Sequence, residues 1–253
     1  MEKKSIIAMA ILGGLLAMGM TGAAFILGTQ ARKAVSSKPQ ATQITVKGLA
    51  VKQVKADSVE WTLNISVVEP TFGAALSKLR AVRPVVDAFL TKEGIEKGLW
   101  KESDESVTPH MVTVYLENGG QRQEQQGFDA SQSITIVTKD LERIVKANKN
   151  ILAVQSEGHP ITAGDPLFLV GNLEEIKMSL IADATANARK RAIEFVKQDG
   201  VRVGVMRSAS QGSFYILAEG ASSDSDDYGG VYDKSTINKI AKVVVTIVYN
   251  IQP

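Results

Sequence analysis

From Val59 to Val67 the chain alternates strictly. Val59, Trp61, Leu63, Ile65 and Val67 are apolar, and Glu60, Thr62, Asn64 and Ser66 between them are polar. A period of two places every apolar side chain on one face, which predicts a half-buried strand. Ile44 to Val54 reads as its antiparallel partner, and Gly48 within it marks a bulge or a close backbone approach. The period then lengthens to that of a helix. Phe72, Ala75, Leu76, Leu79, Val82, Val86, Phe89 and Leu90 fall on one stripe, and Gly94 supplies a stop. Pro84 conflicts with that helix: it removes a backbone donor and crowds the preceding turn, so a kink or a split is expected there.

Two further strands are predicted at Val107–Glu117 and Phe128–Thr138, joined through Asn118-Gly119-Gly120. Asp140 has the chemistry of an N-cap. Behind it Leu141, Ile144, Val145, Asn148, Ile151, Leu152 and Gln155 share one helical face that ends near Gly158. Pro166–Val170 is a short apolar strand. The longest helix runs from Leu173 to Gln198, with Ile176, Leu180, Ile181, Ala184, Ala188, Ala192, Phe195 and Val196 as its inner face. Its alanines at spacing four form a strip of small side chains that lets a sheet pack closely. The chain then returns to strands at Val203–Ser208, Gly212–Ala218 and Ala241–Ile251. In the last, Val243, Val245 and Ile247 oppose Val244 and Val248, so both faces are apolar. That fits a central strand, or one covered by a partner subunit. Glu219–Thr236, rich in Ser, Asp and Gly, reads as a long exposed loop. The order β-β-α-β-β-α-β-α-β-β predicts an α+β domain of mostly antiparallel strands with three helices, after one N-terminal transmembrane helix.

That transmembrane expectation comes from residues 5–31, which hold no charge between Lys4 and Arg32. The run exceeds the ~20 residues a bilayer core requires. Lys3 and Lys4 flank it as they would flank either an anchor or a signal peptide. Thr21-Gly22-Ala23 could suit a signal peptidase, but the apolar run continues through Phe25-Ile26-Leu27, which favours a retained anchor. The expected organisation is an anchor or signal segment at 1–33, a polar linker at 34–43 and one domain at 44–253. The lipid bilayer is thus an expected partner through residues 5–31. The domain is expected in the periplasm, tethered to a bacterial inner membrane or free after cleavage.

Composition narrows the chemistry. The net charge is +2 with acids and bases interspersed, and the only compact basic cluster, Arg189-Lys190-Arg191, splays around a helix. No nucleic-acid partner is expected. Cysteine is absent, which removes disulfides, thiol nucleophiles and thiolate metal sites together. The two histidines, His110 and His159, sit beside Pro109 and Pro160 on different elements, in no metal-ligand spacing. Asp224, Ser225, Asp226 and Asp227 ahead of Gly229-Gly230 lack the alternating ligands and terminal Glu of a calcium loop. Neither Gly119-Gly120 nor Gly229-Gly230 has the following Lys-Ser/Thr of a phosphate loop. Trp61, Trp100, Phe128, Phe214, Tyr215, Tyr228 and Tyr232 are too scattered for a stacking platform. No catalytic, cofactor-binding or metal-binding residue is assigned, no cofactor or small molecule is expected, and the chain is read as not an enzyme.

Four segments, in this order, resemble the SIMPL-domain (DUF541) family. They are the opening strand Ile44-Thr45-Val46-Lys47-Gly48-Leu49-Ala50 with its partner ending at Val68, and the helix exit Gly94-Ile95 through Leu99. Then come Phe128-Asp129-Ala130 running into Ile134-Thr135-Ile136 and Asp140-Leu141, and the Ala182-Asp183-Ala184 to Ala192 helix with the closing Val243-Val244-Val245-Thr246-Ile247 strand. The resemblance implies an envelope location, an α+β fold, ring- or channel-like homo-oligomers and a stress association. It brings no catalytic residues. Pro84 and the long loop before the last strand depart from the family pattern. Two rival readings stand beside a self-assembling scaffold. One is a ligand- or protein-binding module using a sheet edge or the Glu219–Thr236 loop. The other is an envelope hydrolase, which needs His110 or His159 to meet a Ser and a carboxylate.

Overall fold

The structure is a computed structural model and describes residues 43–117, 119–221 and 230–252. The expected anchor, nearly all of the linker and the Asp224–Gly229 segment lie outside the described residues. Among the described residues nine strands and three α-helices follow one another as β1 (Gln43–Lys55), β2 (Ser58–Glu69), α1 (Phe72–Lys92), β3 (Trp100–Glu102), β4 (Ser106–Tyr115) and β5 (Gln121–Thr138), then α2 (Leu141–Ser156), β6 (Ile161–Ala163), β7 (Leu167–Leu169), α3 (Leu173–Val196), β8 (Arg202–Ala218) and β9 (Asn238–Gln252). This is the expected α+β class. One sheet has the order β3-β5-β2-β6, with β4 also on β5 and β7 also on β2. The other has the order β1-β9-β8.

The chain divides into two compact units. The larger comprises residues 47–189 and 210–246; the smaller comprises residues 1–46, 190–209 and 247–253. In the larger unit β2 does what its alternation predicts: Val59, Trp61, Leu63, Ile65 and Val67 are all buried. Its antiparallel register on β5 runs unbroken from Val59↔Thr138 to Glu69↔Phe128. Leu79, Val82, Val86 and Leu90 of α1 join the same core, as do Ile144, Ala147 and Ile151 of α2. In the smaller unit the buried apolar residues include Val46, Ala192, Val196, Ile247 and Tyr249.

Several expectations need correction. Of the kink or split expected at Pro84, the split does not occur: α1 continues to Lys92. Pro84 lies on the exposed side, and so does Arg80, whose carbonyl loses its helical donor; solvent can serve that carbonyl there. Phe72 is half exposed and meets Phe128 edge-on, with ring centroids 6.0 Å apart, instead of entering the core. The buried stripe of α2 is Ile144, Ala147 and Ile151, with Leu152 facing out. Phe195 of α3 is likewise exposed. Val203–Ser208 and Gly212–Ala218 form one strand, β8. The strand expected from Phe128 begins seven residues earlier at Gln121, within a Gln-rich stretch that carries no apolar period.

The ends of the helices are fixed locally. Asp140 accepts from the Arg143 backbone N–H at 3.1 Å and from its guanidinium at 2.8 Å, and Thr71 accepts from the Ala74 N–H at 3.2 Å. Asp140→Ala is expected to lower stability by about 1 kcal/mol. Urea unfolding checks this, and an unchanged midpoint would show that the cap contributes nothing.

Candidate functional site

The densest polar cluster among the described residues is built on Asp233 and Lys239, in the segment leading into β9. Lys239 is 1% exposed, the one charged side chain buried among the described residues. Strand alternation puts it there: Lys239, Ala241, Val243 and Val245 share the buried face of β9. A lone ammonium at such a depth is costly, so it must be paired. Its Nζ donates to the Asp233 main-chain oxygen at 2.7 Å and to Oδ2 at 3.1 Å. Asp233 also accepts from the Ser235 N–H at 3.1 Å, the Ser235 hydroxyl at 2.7 Å, the Thr236 N–H at 3.2 Å and the Thr236 hydroxyl. Partial burial works to raise the Asp233 pKa. The donors from Thr236, Ser235 and Lys239 outweigh it and hold the carboxyl well below the usual carboxylate range.

This cluster closes the end of the loop between β8 and β9. Val231 accepts from the Ile216 N–H at 2.7 Å, Asp233 donates back to the Ile216 carbonyl at 2.7 Å, and the Tyr232 hydroxyl accepts from Val170 N–H at 2.7 Å. The expected long exposed loop is therefore tied down from Val231 onward. An open cleft of about 320 Å³ beside it is lined by Gln53, Val54, Lys55, Glu219, Asn238 and Lys239. With both acceptors of Lys239 on Asp233, the arrangement is that of an internal staple, not of a reacting amine.

The two histidines stay on separate elements. His110 lies in β4, one-third exposed, with Nδ1 2.8 Å from Asp129 Oδ2 on β5. His159 stands 3.6 Å from Glu157. His110 thus has the orienting carboxylate of a triad in Asp129. Among the described residues no group of three or more acidic or histidine side chains could hold a metal ion. No described helix is long and apolar enough to cross a membrane.

Other polar contacts hold elements together. Arg83 on α1 bonds Asp87 at 2.7 Å, Gln132 at 3.1 Å and Glu102; the contact with Glu102 raises the arginine's pKa and lowers the glutamate's. Trp61 Nε1 donates to Gly164 O at 2.9 Å and to Asn148 Oδ1 at 3.1 Å, which explains an asparagine on the apolar face of α2. The Asp57 carboxylate accepts from Gly171 N–H at 3.0 Å. Sequence reasoning missed the Asp233 cluster because Asp233, Ser235 and Thr236 look like any polar loop. The one available signal was Lys239, a charge at an inward position of an otherwise apolar alternation.

Fold and cluster together define an α+β protein whose polar groups brace its own strands and helices. The chain belongs to the SIMPL family, whose profile, described as "Protein of unknown function (DUF541)", matches residues 44–245. The match runs from the second residue of β1 into the middle of β9. Comparison with curated proteins returns no match.

Proposed function

We propose that this protein is a non-enzymatic envelope scaffold. Residues 5–31 anchor it, and it assembles with its own copies into a ring-, cage- or channel-like particle on the outer side of the inner membrane. The observation that carries the reading is the load of large apolar side chains left exposed on strand edges. Met111, Tyr115 and Leu116 stand out along β4 and just beyond it, and Val205 and Met206 along β8. Exposed apolar side chains along edge strands are what monomeric proteins limit and subunits of assemblies use. The uncharged run from Ser5 to Ala31 supports the anchor.

Light scattering on the full-length chain, extracted in mild detergent, is expected to give a mass several times that of one polypeptide. A monodisperse monomer would end the scaffold reading. The rival binding-module reading requires a partner captured through the loop before β9. Any deletion that tests it has to stop short of Asp233, since removing that residue strips the buried Lys239 of its counter-charge.

A further inference from the structure

Beyond the body of the larger unit, β4 and β5 continue as a ribbon of two strands. β5 leaves β2 at Phe128↔Glu69, so from there outward its only partner among the described strands is β4. The register shifts between Pro109 and Met111, near Gly127 with its φ of 112°. Past that irregularity Met111 pairs with Gln125, Val112 with Glu124, Thr113 with Gln123, Val114 with Arg122 and Tyr115 with Gln121. A two-stranded ribbon is marginal in water by itself. Here it leaves Met111 51% and Tyr115 74% exposed.

Edge strands of monomers are blunted by Lys, Pro, bulges or shortness. The edge of β4 beyond the bulge has none of these: from Met111 to Leu116 it reads Met-Val-Thr-Val-Tyr-Leu, with no charge, proline or glycine. The run is also self-complementary. Laid antiparallel against its own copy about Thr113, it sets Met111 opposite Tyr115 and Val112 opposite Val114. Because the strand is uncharged, a two-fold pairing brings no like charges together, whereas a charged edge would repel itself. On one face the four valines of the two copies would form an apolar centre. The Arg122–Glu124 ion pair of each copy lies on that same face and would form a polar rim.

We infer that the β4–β5 arm is the self-assembly contact, two copies pairing edge to edge along Met111–Tyr115 about a two-fold axis at Thr113. This rests on the scaffold reading and names its surface. A strand pair of this length buries less than the ~1,000 Å² of a stable interface, so it acts as one contact of a larger particle.

The chain has no cysteine, so Thr113→Cys provides a clean reporter. Full-length Thr113→Cys under mild oxidation is expected to form a disulfide-linked dimer at least tenfold faster than Ser156→Cys, an exposed position on α2. In antiparallel neighbours the facing Cα atoms lie within disulfide reach. The double variant Val112→Lys/Val114→Lys is expected to lower the particle mass by at least half while keeping the wild-type circular dichroism spectrum. If wild-type protein assembles but either result fails, the arm pairing is overturned and the scaffold reading survives. If wild-type protein is monomeric, both fall.

Discussion

Gly48→Ala is expected to destabilise the protein by about 3 kcal/mol, at the upper end of what overpacking costs. Gly48 lies on the buried face of β1, against α3. A Cβ there would fall inside contact distance of the Ala184 carbonyl oxygen and 2.8 Å from both the Ala188 Cβ and its backbone nitrogen. Backbone atoms of a helix have no rotamer with which to yield. The alanine strip has no side chain left to shorten, and the Leu49 N–H is already bonded to Asn187 Oδ1 at 3.1 Å on the same helix. For a chain of this size the cost corresponds to a fall in melting temperature of about 6–12 °C. Gly73→Ala makes the control. It lies in the first turn of α1 with nothing within 4 Å of an added methyl, so it should be neutral or stabilise by up to about 1 kcal/mol. Equal effects of the two substitutions in thermal denaturation would show that β1 does not press on α3.

Removing the carboxylate beneath Lys239 should cost as much or more. Asp233→Ala leaves a side chain that is 0% exposed with only the main-chain oxygen of residue 233 to bond, and an uncompensated buried charge costs about 3–5 kcal/mol. The reverse change is expected to be milder. In Lys239→Met the ammonium goes and a methionine of similar length fills its place. Asp233, 15% exposed, keeps the donors of Ser235 and Thr236. The two variants should therefore differ by roughly 2 kcal/mol in urea unfolding at neutral pH, Asp233→Ala being the less stable. A Lys239→Met variant as damaged as Asp233→Ala would mean that packing around position 239, and not the buried charge, sets the cost.

Acid separates the electrostatic part. The folded-state pKa of Asp233 is depressed, so its contribution is fully present above the unfolded value near ~3.9 and is lost as pH falls from there toward the folded value. Wild type and Asp233→Asn should differ most near pH 7 and converge below about pH 4. Parallel stability curves between pH 7 and pH 3 would rule out that linkage.

What the sequence determined by itself was whatever a local period encodes. The alternation from Val59 to Val67, the 3.6-residue stripe from Ala75 to Leu90 and the cap at Asp140 each fixed an element, because each buries one face or satisfies its own end from residues a few positions away. The doubly apolar last strand pointed correctly to the middle of a sheet, and β9 lies between β1 and β8. Even the close approach at Gly48 and the alanine strip of α3 were visible, as two separate deficits of side chain.

Only the tertiary structure matched those deficits to each other, because nothing local in either segment specifies its partner. It also decided that Pro84 stays inside α1, since the face on which its lost hydrogen bond falls depends on what α1 packs against. The Gln-rich half of β5 had no period to read; its conformation is imposed by the β4 strand that pairs with it. The Asp233–Lys239 staple became legible only when β9 turned Lys239 inward, because the penalty for burying an ammonium does not exist until there is an interior to bury it in.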